Sequence, residues 1–145
     1  RIPYERYVWS RAVAWGTACN LCKLAVGVLD IDCFKKINDQ YGHMFGDVVI
    51  IQAAQILRKF FRTNDILGRV GGDEFMVLMK DIYNRNLIEE RCSQMLSSFQ
   101  TLLVGEEINH QTSCSIGVAL SPHHGTTFAE LFKPILYDAK APAIR

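Results

Sequence analysis

The strongest constraint on the fold is a two-glycine turn set between two apolar runs. Residues 66–70 are mostly apolar, Gly71 and Gly72 follow, and residues 75–79 are all apolar. Two such runs joined by glycines predict an antiparallel β-hairpin, because glycine readily adopts the positive φ angles of tight turns. Asp73 and Glu74 stand side by side in this turn. The pair is either a solvated acidic edge or part of a cation site, since carboxylate oxygens are good Mg²⁺ ligands.

A second acidic group follows another apolar run. Residues 24–29 are apolar or glycine, and they lead directly into Asp30-Ile31-Asp32. A run of this length predicts a buried strand over 24–31. If this strand lies beside the hairpin in one sheet, its carboxylates can meet those of the turn. The sequence therefore predicts a Mg²⁺ pocket for a nucleotide at this end of the sheet.

Apolar residues elsewhere recur at helical spacing. The expected helices cover 5–22, a short segment from near Cys33, 47–61, 86–103 and a last segment from Thr127. A further strand is expected over 111–120. Thr127 and Glu130 have the spacing of a capping box, and Pro134 should kink or restart the helix that follows.

Composition and charge narrow the class of protein. A chain of 145 residues that is 49% hydrophobic fits one globular domain. A net charge of +1 gives no reason to expect contact with nucleic acid or membrane surfaces. No apolar run is long enough to span a bilayer, and no secretory signal is visible.

The five cysteines are odd in number and lack the spacing of a disulfide framework, which indicates a reducing cytoplasm. Cys19 and Cys22 have no second cysteine pair or histidine nearby, so we interpret them as helix thiols rather than a redox or zinc site. His123 and His124 are interpreted as solvated turn residues, since no third ligand accompanies them.

Several blocks of the chain resemble the GGDEF domain of diguanylate cyclases, in the family's order and at its spacing. The blocks are residues 30–43, Gly46-Asp47, 71–75, 115–119 and 137–140. The resemblance covers nearly the whole chain. It implies an α+β fold, with a ferredoxin-like mixed β-sheet surrounded by helices. It also implies that residues 1–145 are a single GGDEF domain, a fragment of a longer multidomain signalling protein, cytoplasmic or the cytoplasmic part of a membrane-anchored sensor.

The resemblance implies an enzyme that makes cyclic di-GMP from two GTP and releases pyrophosphate, acting as a homodimer. Mg²⁺, or Mn²⁺, would be held by Asp30, the Ile31 carbonyl and Asp73. Glu74 would be a further ligand or would help to remove the proton of the attacking hydroxyl group. The implied catalytic residues are therefore Asp30, Asp73 and Glu74.

The phosphates of GTP would bind at the start of the short helix. The first amides, at Cys33, Phe34 and Lys35, would face the metal pocket, and a helix N-terminus with free N–H groups binds phosphate. The Lys35 side chain is either a further charge for the phosphates or simply solvated. Lys140 matches the family's phosphate-binding lysine.

The guanine base would bind to Asn38 and Asp47. Guanine offers N–H donors on its Watson–Crick edge, which a carboxylate accepts, whereas the N1 acceptor of adenine would be repelled. Without the resemblance, Asp47 could equally be a charge at a helix N-terminus. His43 lies between these residues and either shapes the turn or contacts the ligand.

Arg62-Thr63-Asn64-Asp65 precedes the second strand. In isolation it is a charged helix end. The family has an Arg-x-x-Asp at this distance before Gly71 as its product-inhibition site. Arginine can fork onto guanine O6 and N7, and aspartate can accept from the opposite edge. Bound cyclic di-GMP would link Arg62 to a second arginine, either Arg91 or one on a partner subunit.

The C-terminal segment departs from the family. Lys133-Pro134 stands where the family continues with an aspartate, residues 141–145 replace its Gly-Arg-Asn ending, and Arg145 comes one residue late for its second phosphate-binding arginine. This departure favours an alternative, a non-catalytic receptor for GTP or cyclic di-GMP. The intact acidic and amide residues favour the enzyme. A purely structural dimerisation module would leave the acidic pocket unexplained.

Overall fold

The computed structural model describes residues 24–82, 84–100, 112–127 and 129–132. Its elements in chain order are strand β1 Leu24–Ile31, helices α1 Phe34–Tyr41 and α2 His43–Phe60, strands β2 Ile66–Arg69 and β3 Glu74–Lys80, helix α3 Arg85–Gln100 and strand β4 Cys114–Ser121. Residues 129–132 are also helical. Several predictions fall outside the described residues, namely those for the helix over 5–22, Cys19, Cys22, Pro134, Lys140 and Arg145.

The strands form one sheet in the order β2-β3-β1-β4. This is the order of a ferredoxin-like sheet, and the α+β class is confirmed. The sheet was expected to be mixed, but every pair among the described strands is antiparallel. The reason is the path of the chain. The helices α1 and α2 connect β1 to the outer strand β2. Strand β3 then lies between β2 and β1 in the sheet and is antiparallel to both.

The predicted hairpin is confirmed. β2 and β3 pair with Arg69 opposite Phe75, and the Val70 amide donates to the Glu74 carbonyl at 2.9 Å. The predicted strand over 24–31 is also confirmed, as β1. β4 begins at Cys114, so the start expected at residue 111 was too early.

Helix α2 begins at His43, four residues before the expected start at Asp47. Gly42 is the cause, because its φ of 89° ends α1 and begins α2 with no linker between them. The Gly42 amide donates to the Asn38 carbonyl at 2.8 Å, and the Gly46 amide donates to the Gly42 carbonyl at 3.2 Å. One glycine therefore serves as the end of one helix and the beginning of the next.

The sheet buries side chains on both faces. One set of alternate residues packs against the helices, and it includes Leu29, Phe75, Val77 and Met79. The other set forms a second cluster with Leu131, and it includes Val26, Val28, Met76 and Leu78. Because side chains alternate along a strand, Asp30 lies on the same face as Val26 and Val28, where that second cluster ends.

The predicted capping box is confirmed at the start of the last helical turn. The Glu130 amide donates to Thr127 Oγ1 at 3.2 Å, and the Thr127 amide donates to the Glu130 carboxylate at 3.2 Å. The amides of Thr126 and Thr127 hold the pKa of Glu130 below its usual range. Over the described residues, no helix combines the length and the apolar character needed to cross a membrane.

Candidate functional site

The structure brings the three predicted catalytic carboxylates to one end of the sheet. Asp30 is the cross-strand partner of Glu74 in the β1–β3 register. The Ile31 amide donates to the Asp73 carbonyl at 3.1 Å, which ties the glycine turn to the end of β1. Side chains directly opposite each other on neighbouring antiparallel strands lie close together, and like charges at such positions are destabilising. The arrangement therefore concentrates negative charge at a fixed point.

This crowding affects the pKa of Asp30. Its pKa is raised to about 7, first by burial, then by a hydrogen-bonding interaction with the Asp73 carboxyl group and by repulsion from Asp73, Glu74 and Asp32. Its Oδ1 atom is buried and has no hydrogen-bond partner among the described residues. Buried polar atoms are normally paired, so this oxygen indicates a missing partner. A cation would supply both the partner and the neutralising charge.

The carboxylate oxygens at this end of the sheet suit a Mg²⁺ ion that also binds water and substrate phosphates. Among the described residues, no three His, Cys, Asp or Glu side chains are arranged as a ready metal site. Mg²⁺ does not require such a cage, since it keeps several waters and is bound by one or two carboxylates together with substrate phosphates. Asp30 and Asp73 provide two carboxylates, and Mn²⁺ also prefers oxygen ligands.

Asp32 has a different role from Asp30, although it directly follows the same strand. Its carboxylate accepts from Ser113 Oγ at 2.7 Å and from Ser115 Oγ at 2.8 Å. Its amide donates to the Ser113 carbonyl at 2.9 Å. Both carboxylate oxygens are thus occupied by hydroxyl donors of the β4 side. Asp32 therefore links the end of β1 to the β4 side, a role that was not predicted from the sequence.

Arg69 closes the glycine turn. Its Nε donates to the carbonyls of Gly71 and Gly72, at 3.1 Å in each case, and one terminal nitrogen donates to the Gly72 carbonyl at 2.6 Å. The guanidinium group thereby fixes the backbone that leads into Asp73. This role of Arg69 was not predicted from the sequence. The signal for it was a long cationic side chain two positions before the first turn glycine.

The start of α1 lies directly after the acidic end of β1. Cys33 is exposed, has a φ of 56° and makes no side-chain capping bond to the helix. Phe34 is half-buried and Lys35 is exposed. An N-terminus without a side-chain cap leaves its first amides for other acceptors, as the phosphate prediction requires.

The residues predicted to bind the base lie where α1 meets α2. Asn38 is half-buried, whereas His43 and Asp47 are exposed. The Asn38 Oδ1 atom is buried and lacks a hydrogen-bond partner among the described residues. Because α2 begins at His43, Asp47 is not in its first turn. The alternative in which Asp47 is only a helix N-terminal charge is therefore wrong.

Arg62 and Asp65 form a separate group at the start of β2. Asp65 Oδ2 accepts from the Arg62 amide at 2.8 Å, and Oδ1 accepts from Arg62 Nη2 at 3.0 Å. The Arg62 Nη2 also donates to the Lys80 carbonyl at 2.5 Å, and Arg91 Nη1 lies 4.0 Å from Asp65 Oδ2. An open cavity of about 790 Å³ adjoins this group, and Arg58, Lys80 and other residues line it. The structure thus brings Arg91 to the predicted pair.

Comparison with known proteins decides the family. The sequence profile described as "Diguanylate cyclase, GGDEF domain" matches residues 13–141. The chain belongs to the GGDEF domain family. This GGDEF domain is 36% identical over 118 residues to the diguanylate cyclase TpbB of Pseudomonas aeruginosa (strain UCBPP-PA14), covering 81% of this chain and 26% of TpbB. It is 36% identical over 121 residues to the cyclic di-GMP phosphodiesterase PdeR of Escherichia coli (strain K12), covering 81% of this chain and 18% of PdeR.

The fold comparison agrees with the sequence comparison. The crystal structure of the GGDEF domain of TpbB from Pseudomonas aeruginosa matches with a TM-score of 0.86 at 30% identity, covering 93% of this chain and 86% of that one. The resemblance stated from the sequence is therefore confirmed. The two curated relatives are much longer than the matched region and carry different activities in their names.

Proposed function

We propose that this GGDEF domain is a diguanylate cyclase, which condenses two GTP into cyclic di-GMP and releases pyrophosphate. The observation that carries the proposal is the crowding of Asp30, Asp73 and Glu74, with the pKa of Asp30 raised to about 7 and its Oδ1 buried without a partner. Such crowding costs stability in the isolated domain. It becomes favourable when a cation and its nucleotide phosphates bind.

Asp30, the Ile31 carbonyl and Asp73 would hold Mg²⁺, or Mn²⁺, together with the phosphates of GTP. When bound, the metal neutralises phosphate charge and lowers the pKa of the attacking hydroxyl group. The 3′-oxygen of one GTP bonds to the α-phosphorus of the other, and the bond from that phosphorus to the pyrophosphate group breaks. The hydroxyl proton passes to Glu74 or, if Glu74 is a further ligand, to solvent water. The reaction occurs twice to close the ring.

Substrate binding would use the two ends of α1. The first amides, at Cys33, Phe34 and Lys35, bind phosphate oxygens, and Lys140 adds a charge to the same group. Asn38 and Asp47 bind the base, with His43 in the turn between them. Each domain holds one GTP, so a homodimer is required to bring two reacting nucleotides face to face. We place the domain in the cytoplasmic part of a longer signalling protein.

Product inhibition would use the group at the start of β2. Asp65 orients the Arg62 guanidinium, whose side chain remains 45% exposed beside an open polar cavity. Arginine can fork onto guanine O6 and N7, and Arg91 is near enough to add a second cationic contact to cyclic di-GMP. Product bound there would hold the GTP sites of two domains apart without altering either site.

A second candidate is a non-catalytic receptor for GTP or cyclic di-GMP. The departure from the family pattern at residues 141–145 favours it, because that segment would supply part of the phosphate contacts. Such a receptor would bind nucleotide at the same residues and form no product.

The test is incubation of the purified protein with GTP and Mg²⁺, followed by chromatography of the nucleotides. Wild type should form cyclic di-GMP, and Asp30→Ala or Asp73→Ala should abolish it, since the loss of a metal ligand removes several kcal/mol of charge stabilisation. Asp39→Ala, an exposed aspartate on α1, is the matched control and should retain activity. Tight GTP binding by the wild type without product would favour the receptor. Full synthesis by either ligand variant would contradict the site.

Product inhibition has its own test. Arg62→Ala should leave the initial rate nearly unchanged and remove the later slowing as product accumulates. A bidentate charged contact contributes roughly 1.5–3 kcal/mol, so the affinity for cyclic di-GMP should fall at least about tenfold in calorimetry. Arg85→Ala, which removes an exposed arginine paired with Glu89, is the control. If wild type and Arg62→Ala bind product equally and slow equally, the pair is only a charged helix end.

A further inference from the structure

Gly46 lies inside a helix, where glycine is a poor choice. It belongs to α2, is buried, and does not have a positive φ angle. A glycine in a helix interior is destabilising relative to alanine, because its backbone loses more freedom on folding. Since the backbone conformation at this position does not require glycine, the reason must lie in what surrounds it.

The space beside Gly46 is filled by the Asn38 side chain. A Cβ atom built on Gly46 would overlap Asn38 Oδ1, and it would lie 2.9 Å from Asn38 Cγ and 3.2 Å from Phe34 Cζ. Both neighbours belong to α1. Any side chain at position 46 would therefore displace the Asn38 amide from the surface of α2.

The Asn38 side chain packs against Gly46. Its Oδ1 is buried and accepts no hydrogen bond from the described residues. Buried oxygens of this kind are normally paired, so the atom indicates a donor that is supplied by something else. The adjacent Asp47 carboxylate is exposed, and it is also an acceptor. Two neighbouring acceptors suit a ligand edge that carries two N–H donors.

We propose that Gly46 is a positioning residue for base selection, which acts by leaving room for the Asn38 amide beside Asp47. The ligand class is a purine with adjacent ring N–H and exocyclic amino donors, and the exocyclic amino group is the part read through Asn38. This inference rests on the proposed function, which assigns Asn38 and Asp47 to the base.

The experiment is a double-mutant cycle with Gly46→Ala, Asn38→Ala and the double variant. The probes are GTP and inosine triphosphate, which lacks the exocyclic amino group, and the readouts are affinities from calorimetry and KM and kcat for synthesis. Gly46→Ala should weaken GTP binding about tenfold, with a much smaller change in kcat, and should reduce the preference for GTP over inosine triphosphate. In the Asn38→Ala background, the same change should alter GTP affinity by less than about twofold, because the added methyl group enters vacated space.

Thermal unfolding keeps the inference testable if Gly46→Ala folds poorly. Gly46→Ala should lower Tm in the wild-type background and should leave it equal or higher in the Asn38→Ala background, as helix propensity predicts. Val48→Ala, at an exposed position two residues along α2, is the control and should change neither selectivity nor KM.

The outcomes separate the inference from the proposed function. Equal losses of GTP affinity from Gly46→Ala in both backgrounds, or an unchanged preference over inosine triphosphate in that variant, would overturn the inference. If the wild type binds GTP selectively but makes no product, the proposed enzyme activity is wrong. The double-mutant cycle measured as GTP affinity would still decide the role of Gly46. Equal binding of the two nucleotides by the wild type would overturn the assignment of Asn38 and the inference with it.

Discussion

Asp65 should contribute more to stability than the arginine that it pairs with. The Asp65 side chain is fully buried, whereas the Arg62 side chain is 45% exposed. Its carboxylate accepts from the Arg62 amide at 2.8 Å and from Arg62 Nη2 at 3.0 Å, and Arg91 Nη1 lies 4.0 Å away. One buried group therefore organises both the main chain before β2 and two cationic side chains.

The cost of Asp65→Ala follows from these contacts. A hydrogen bond from an amide to a charged acceptor contributes about 1.5–3 kcal/mol, and an ion pair with a half-exposed arginine adds about 0.2–1 kcal/mol. We expect Asp65→Ala to lower the free energy of unfolding by about 2–4 kcal/mol. Arg62→Ala keeps the amide at position 62 and the nearby Arg91 but loses the side-chain bonds to Asp65 and to the Lys80 carbonyl, so its expected cost is smaller, about 1–2 kcal/mol.

Urea denaturation of both variants measures this difference, provided that the m-values match that of the wild type. Asn64→Ala, at an exposed neighbouring position, is the control and should change the free energy of unfolding little. The reasoning is refuted if Arg62→Ala destabilises the domain as much as Asp65→Ala does. If the expected order is found, Arg62→Ala is the suitable variant for testing product inhibition, because it alters the contact without disrupting the fold.

Three further results are expected. The pKa of Asp30 is raised from 3.8 to about 7. Between these pH values the metal-free folded domain keeps a proton on Asp30 that the unfolded chain has lost. The free energy of unfolding should therefore fall as the pH rises through this range. In urea denaturation with a chelator, Asp30→Asn should remove the part of this pH dependence that Asp30 causes, which for one group is at most about 1.4 kcal/mol per pH unit. An unchanged pH dependence of the free energy of unfolding would contradict the raised pKa of Asp30. Asp47→Ala should narrow the preference for GTP over ATP by about tenfold in calorimetry, and equal binding of the two by the wild type would count against a guanine site. A thiol reagent at neutral pH should modify exposed Cys33 before Cys92 and Cys114, because burial raises their pKa values to about 11 and about 12; peptide mass spectrometry showing early labelling of either buried thiol would disprove this.

The strands next to the site could be predicted closely from the sequence. β1 matches the expected 24–31, and β3 extends the expected 75–79 by one residue at each end. Each strand is built on a run of apolar residues and glycine, 24–29 in β1 and 75–79 in β3, that is flanked by charged residues, so burial places the strand to within about two residues. The junction of α1 and α2 could not be predicted in this way. It depends on the φ of 89° at Gly42, which lets one residue end a helix and start another, whereas a glycine between two helical patterns ordinarily indicates a loop.

The two aspartates at the end of β1 show why the electrostatics of the site needed the structure. Asp30 lies in β1 and Asp32 directly follows its last residue, so the sequence pattern gives no ground for distinguishing the two carboxylates. Their neighbours differ because of distant parts of the chain. The hydroxyls of Ser113 and Ser115 occupy both oxygens of Asp32, whereas Asp30 lies opposite Glu74 and beside Asp73. Both oxygens of Asp32 therefore already accept hydrogen bonds, whereas the buried Oδ1 of Asp30 has no partner among the described residues, and a cation would supply one. This difference is why we propose Asp30 as a metal ligand and assign Asp32 to the attachment of β1 to β4.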